Sequence, residues 1–121
     1  MSLYKTVGGE AFFVSLVDRF YEGVEQDTLL APMYPADDME GARRRLHLFL
    51  VQYFGGPDTY SQERGHPRLR ARHMPFTIGV PERDAWMSHM LTALKETDAP
   101  EDAKIQMLDY FDRVATFMMN K

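Results

Sequence analysis

An all-α domain is the fold class this sequence predicts, and three observations carry it. Apolar residues recur at helical spacing through most of the chain, glycine and proline punctuate it at roughly helix-length intervals, and no stretch alternates as a strand would. The length of 121 residues is that of one domain, taken as residues 1–121. A composition 45% hydrophobic and 26% charged is that of an ordered globular chain.

The elements follow in order. Phe12, Phe13, Leu16, Val17, Phe20, Tyr21 and Val24 form the buried stripe of a first helix that begins after Gly8-Gly9. Residues 27–35, with Pro32 and Pro35, form a connector with room for one short turn. A second helix is expected from Asp37, whose carboxylate caps it while Glu40 closes a capping box. Its apolar face reads Met39, Ala42, Leu46, Phe49, Leu50, Tyr53 and Phe54, and Gly55-Gly56-Pro57 ends it. Residues 55–65 read as a long polar loop, of the kind usually functional in so small a domain. His66-Pro67 opens a short helix, with Pro67 at its first position and Pro75 as its stop. Pro81 opens a fourth helix with Trp86, Met90, Ala93 and Leu94 on one face, broken at Thr97–Pro100. Met107, Leu108, Phe111, Val114, Ala115 and Met118 mark the last.

Composition excludes several functions. Fourteen basic against 18 acidic residues leave a net charge of −4, which gives no support to a general nucleic-acid or membrane-surface binder. Without cysteine there is no disulfide, thiolate metal site or cysteine nucleophile. No signal peptide or membrane span is legible, so the expected location is the cytoplasm. Eight Phe, six Tyr, one Trp and nine Met are many large polarisable side chains for this length.

Four histidines, at 47, 66, 73 and 89, are the available nitrogen ligands, and their spacing does not assemble a zinc site. His66, beside Pro67, fits a capping role, while His47 and His89 sit next to apolar helix positions. His73 differs: it ends a short helix, follows Arg68, Arg70 and Arg72, and precedes Met74-Pro75-Phe76. A histidine held there suits one axial ligand of a planar anionic cofactor, with guanidinium groups meeting its carboxylates. The same arginines equally suit a solvated basic face. Tyr21, Tyr34 and Trp86 tip the balance, because a buried phenol or indole without a partner costs about 1–3 kcal/mol, and three on separate segments could share one polar ligand.

Together these stretches make the chain recognisable. Val7-Gly8-Gly9, Arg19-Phe20-Tyr21, Tyr34-Pro35 with Asp37-Asp38, Gln52 through Pro57, Gly65-His66-Pro67-Arg68-Leu69-Arg70 through Phe76, and Arg83-Asp84-Ala85-Trp86 resemble the group II truncated haemoglobins, nearly end to end. The resemblance implies a two-on-two helical version of the globin fold around haem b. His73 matches the proximal iron ligand, Tyr21 the distal tyrosine, and Trp86 the tryptophan that marks the group. Tyr34 matches a variable distal site, and Ala42 stands at the gate where ordinary globins carry histidine. Leu46 and Phe49 match the wall over the haem, and Tyr53, Phe76 and Met90 are candidates for further wall. Arg45 and Arg72 are candidate propionate partners, and Phe54 departs from the Trp many members carry.

The implied function is binding of O₂ and of other diatomic ligands such as NO and CO, with hydrogen bonds from Tyr21, Tyr34 and Trp86 slowing release. That suits redox chemistry with O₂, NO or peroxide, dioxygenase-like or peroxidase-like, better than transport. A reductase is the implied protein partner, a homodimer stays open, and nucleic acid and membrane are not expected. Two rivals remain: a haem-based ligand sensor, and a cofactor-free helical interaction module using the basic run from Arg64 to Arg72.

Overall fold

In a computed structural model, which describes residues 2–121, the described residues form helices joined by turns and loops, with no strand among them. In chain order it forms α1 (Leu3–Val7), α2 (Glu10–Glu25), a 3-10 turn (Ala31–Met33), α3 (Met39–Tyr53) and α4 (Thr59–Arg64). Then come α5 (Leu69–His73), α6 (Val80–Lys95) and α7 (Glu101–Phe117). α2 packs against α3 and against α6, and α6 packs against α7, so two helix pairs stack in a two-on-two sandwich. The expected all-α truncated globin architecture is what the chain adopts.

α2 anchors the sandwich. Its stripe of Phe13, Leu16, Val17, Phe20, Tyr21 and Val24 is buried against both neighbours. Leu50 from α3, Met90 and Leu94 from α6, and Met107 and Phe111 from α7 complete the core. Each such side chain contributes about 1.5–3 kcal/mol on burial. Phe54 joins this core, with its ring centroid 5.8 Å from that of Phe13 and 6.2 Å from that of Phe111. Most of the large aromatic and Met side chains pack in this way. Among the described residues, no helix is long and apolar enough to cross a membrane.

Four local expectations need correction. α1 was not anticipated: five residues are too few for periodicity to show. It exists because Ser2 caps it, Gly8 ends it in the left-handed region at φ 115°, and the Tyr4 N–H bonds the Phe54 carbonyl at 2.9 Å. α3 is capped by Asp38 rather than Asp37, the carboxylate accepting the Gly41 N–H at 3.1 Å. The stretch 55–65 is not a plain loop but contains α4. Gln52 holds α4 through both ends of its amide, accepting the Ser61 N–H at 2.9 Å and donating to the Ser61 hydroxyl at 2.8 Å. Finally, Pro67 precedes α5 instead of opening it. Arg68, left-handed at φ 48°, is the cap, and its N–H donates to His66 Nδ1 at 3.0 Å. His66 thus takes a hydrogen-bonding role at the cap residue rather than capping the helix itself.

Candidate functional site

A cavity of about 520 Å³ opens among α2, the 3-10 turn, α3, α5 and α6, and most of its wall is apolar. Tyr21, Tyr34, Ala42, Arg45, Leu46, Phe49, Arg72, His73, Phe76 and Trp86 all line it, as the sequence suggested. Tyr53 and Met90 do not. Tyr53 is the last residue of α3, a turn beyond Phe49, and swings out half-exposed to stack on Tyr110 at 3.9 Å. Met90, a turn beyond Trp86, is wholly buried in the core.

His73 is the one histidine lining this cavity. Its Nδ1 lies 2.6 Å from the Leu69 carbonyl, one turn back on α5. A carbonyl can only accept, so Nδ1 carries the proton and Nε2 keeps its lone pair. That is the arrangement by which a metal-binding imidazole is usually oriented. The other histidines are engaged elsewhere: His47 with Glu10 at 3.1 Å, His66 with the Arg68 N–H, and His89 with Asp27 at 2.7 Å.

The C-terminal tail holds the segment around His73 in place. Arg70 donates to the Phe117 and Met119 carbonyls at 2.7 and 3.0 Å. Asn120 accepts the Ile78 N–H at 2.9 Å and donates to the Phe76 carbonyl at 2.7 Å. No sequence signal for this clamp was available, since it joins residues more than forty positions apart.

Tyr21, Tyr34 and Trp86 line the same cavity from three separate segments. The Tyr21 and Tyr34 rings meet edge to face at 5.4 Å, and Trp86 is held edge-on by Phe20 at 5.2 Å and Phe111 at 5.9 Å. Burial pushes the Tyr34 phenol up to about 12, opposed by the indole N–H of Trp86. Burial also raises Tyr21, so both phenols keep their protons at neutral pH and can donate. The Tyr21 hydroxyl donates to the Ala42 carbonyl at 3.5 Å, the outer limit of a hydrogen bond.

This geometry can be set beside known proteins. The bacterial-like globin family matches residues 2–120. The hemoglobin of the thermophilic phototrophic bacterium Chloroflexus aurantiacus superposes with a TM-score of 0.97 at 53% identity, covering 100% of this chain and 99% of that one. The group 2 truncated hemoglobin YjbI of Bacillus subtilis is 41% identical over 113 residues, 93% of this chain and 85% of its own length. A truncated oxygen-avid haemoglobin from Bacillus subtilis has a TM-score of 0.92 at 38% identity, covering 99% of this chain and 100% of that one. The chain belongs to the group II truncated haemoglobins.

For a truncated haemoglobin the cofactor is haem b and the function rests on haem-based oxygen binding. The residues present suit that group. An oriented imidazole and several arginines line one largely apolar cavity. Arg45 bonds Asp38 at 3.2 Å, while Arg72 uses Nε on the Pro67 carbonyl at 2.8 Å. Two further arginines line the cavity: Arg83 of α6, paired with Asp84 and Asp112, and Arg64 of α4, which has no ion-pair partner among the described residues. Arg64 and Tyr60 are cavity-lining residues that the sequence reading missed, because both sit in the stretch taken for a loop. Arg70 serves the tail clamp instead.

Proposed function

We propose that the chain works as a single globin domain that holds haem through His73 Nε2 and releases O₂ slowly. Haem supplies the iron at which a diatomic ligand coordinates. The observation that carries the proposal is the meeting of three hydrogen-bond donors, Tyr21, Tyr34 and Trp86, in the cavity that also holds the oriented His73. A diatomic ligand held there would accept hydrogen bonds from these three side chains. Donors fixed in a water-poor pocket would stabilise such a ligand without reorganising. Ala42 in place of a larger gate residue leaves room for a second small reactant.

Leu46 and Phe49 supply flat apolar surface from α3, and Phe76 adds to it beyond α5. Arg45, Arg64 and Arg72 are proposed to meet the cofactor's carboxylates in charge-assisted pairs. Slow release favours reaction with NO or peroxide over transport, and the description of the Bacillus subtilis relative as oxygen-avid points the same way. CO is a further expected ligand. A reductase is the partner such turnover requires. The interaction-module reading is weakened, since two of the four arginines of its basic run, Arg70 and Arg72, are committed to backbone carbonyls.

The reading is tested on purified protein. It should be red, show a Soret band, and bind O₂ reversibly once reduced, with dissociation slow enough to follow by stopped flow. A colourless protein that takes up no hemin overturns it. The tail clamp gives a second expectation. Asn120→Ala removes two hydrogen bonds to the segment that follows His73 and should speed hemin loss to a scavenger globin by roughly fivefold, at about 1 kcal/mol for the net effect.

A further inference from the structure

The connection that delivers Tyr34 to the cavity is organised by Asp27. One carboxylate oxygen accepts the Leu29 and Leu30 N–H groups at 2.9 and 3.4 Å, and the Asp27 carbonyl accepts the Ala31 N–H at 2.8 Å. Two more backbone bonds complete the path: Met33 N–H to the Leu30 carbonyl at 2.9 Å and Tyr34 N–H to the Ala31 carbonyl at 3.1 Å. Tyr34 is therefore tied to Asp27 by continuous hydrogen bonding.

The second carboxylate oxygen of Asp27 leaves the turn altogether. It meets His89 Nε2 on α6 at 2.7 Å, with both side chains largely sheltered. This hydrogen bond and those from the turn hold the Asp27 carboxyl below its usual range, so the bridge is charge-assisted. His89 lies three residues after Trp86, on the same side of α6. The imidazole also has a seat of its own. A Cβ at Gly23 of α2 would lie 2.4 Å from His89 Nδ1, so only glycine there lets the ring reach Asp27.

One bond thus joins the helix that carries Trp86 to the turn that carries Tyr34. We infer that Asp27 and His89, seated against Gly23, are positioning residues that set the placement of Tyr34 relative to Trp86 and through it the rate of ligand release. This rests on the reading of Tyr34 and Trp86 as donors to the ligand. The pair lies outside the cavity wall, so it acts only through those two residues.

The test uses the haem-loaded protein and compares His89→Leu, His89→Gln, Gly23→Ala and Tyr34→Phe, with Tyr34→Phe also combined with His89→Leu. Three quantities are read: the O₂ dissociation rate, the C–O stretching frequency of the CO form, and amide hydrogen exchange at Met33 and Tyr34. His89→Leu should speed O₂ release about fivefold, raise the C–O frequency and accelerate exchange at both amides. His89→Gln, which restores an N–H donor, should bring all three back toward the parent. In the Tyr34→Phe background His89→Leu should change O₂ release less than about twofold. Gly23→Ala should act like His89→Leu on all three quantities, with the helix propensity of alanine offsetting part of the stability lost with the bridge. That variant carries the test if His89→Leu does not fold.

The inference is overturned if His89→Leu or Gly23→Ala leaves release and C–O frequency at parent values. An equal effect with and without Tyr34, the mark of general loosening, overturns it too. If Tyr34→Phe alone moves neither quantity, the donor reading itself fails and the inference falls with it. Failure of the bridge alone would leave the Tyr34→Phe effect intact, which separates the two.

Discussion

Changing His73 to glycine is expected to lower hemin affinity by more than about a hundredfold, beyond the range typical of losing a mere supporting contact to a ligand. The Soret band should fall or shift in the purified variant, and added imidazole should restore it by filling the space left by the ring. The magnitude is large because no substitute stands nearby. Of the other histidines, His47 is paired with Glu10, His66 accepts the Arg68 N–H and His89 bridges to Asp27, and none lines the cavity. Unchanged hemin retention and an unchanged spectrum would remove His73 from the iron. The Leu69 carbonyl gives the expectation a second side, since it orients the ring through backbone that no side-chain substitution at position 69 removes.

Trp86→Phe is expected to speed O₂ dissociation by about tenfold or more. One hydrogen bond to a charged acceptor contributes roughly 1.5–3 kcal/mol, and each 1.4 kcal/mol is about a factor of ten. Trp86 should matter more than either tyrosine for a chemical reason. An indole N–H can only donate, whereas a hydroxyl can turn toward another acceptor, as Tyr21 does toward the Ala42 carbonyl. Phenylalanine keeps much of the edge contact with Phe20 and Phe111, so the change reads the lost N–H more than lost packing. Stopped-flow dissociation on the reduced protein measures it, and an off-rate equal to the parent's would take Trp86 out of the mechanism.

The candidate site was legible in the sequence to an unusual degree because its residues sit on periodic helices or beside prolines. Tyr21 on α2, Leu46 and Phe49 on α3 and Trp86 on α6 each fall on a stripe that had to face inward, and the cavity collects all of them. Where the reading failed, the missing information was not periodic. Tyr53 shares the register of Leu46 and Phe49, yet the helix ends there and the ring finds Tyr110. Arg64 and Tyr60 were hidden because α4 spans only six polar-rich residues, held by Gln52 from another helix.

By itself the sequence determined the helical class, the approximate bounds of the long helices, the family and the identity of the cavity's histidine. These depend on local spacing, on side-chain type and on motifs read in order. Tertiary structure alone decided which arginines line the cavity, how the tail clamps the segment behind His73, and how Asp27 reaches His89. The physical reason is common to all three. Each is a hydrogen bond or a shared surface between residues far apart in the chain, and no local propensity encodes which distant donor an acceptor will meet.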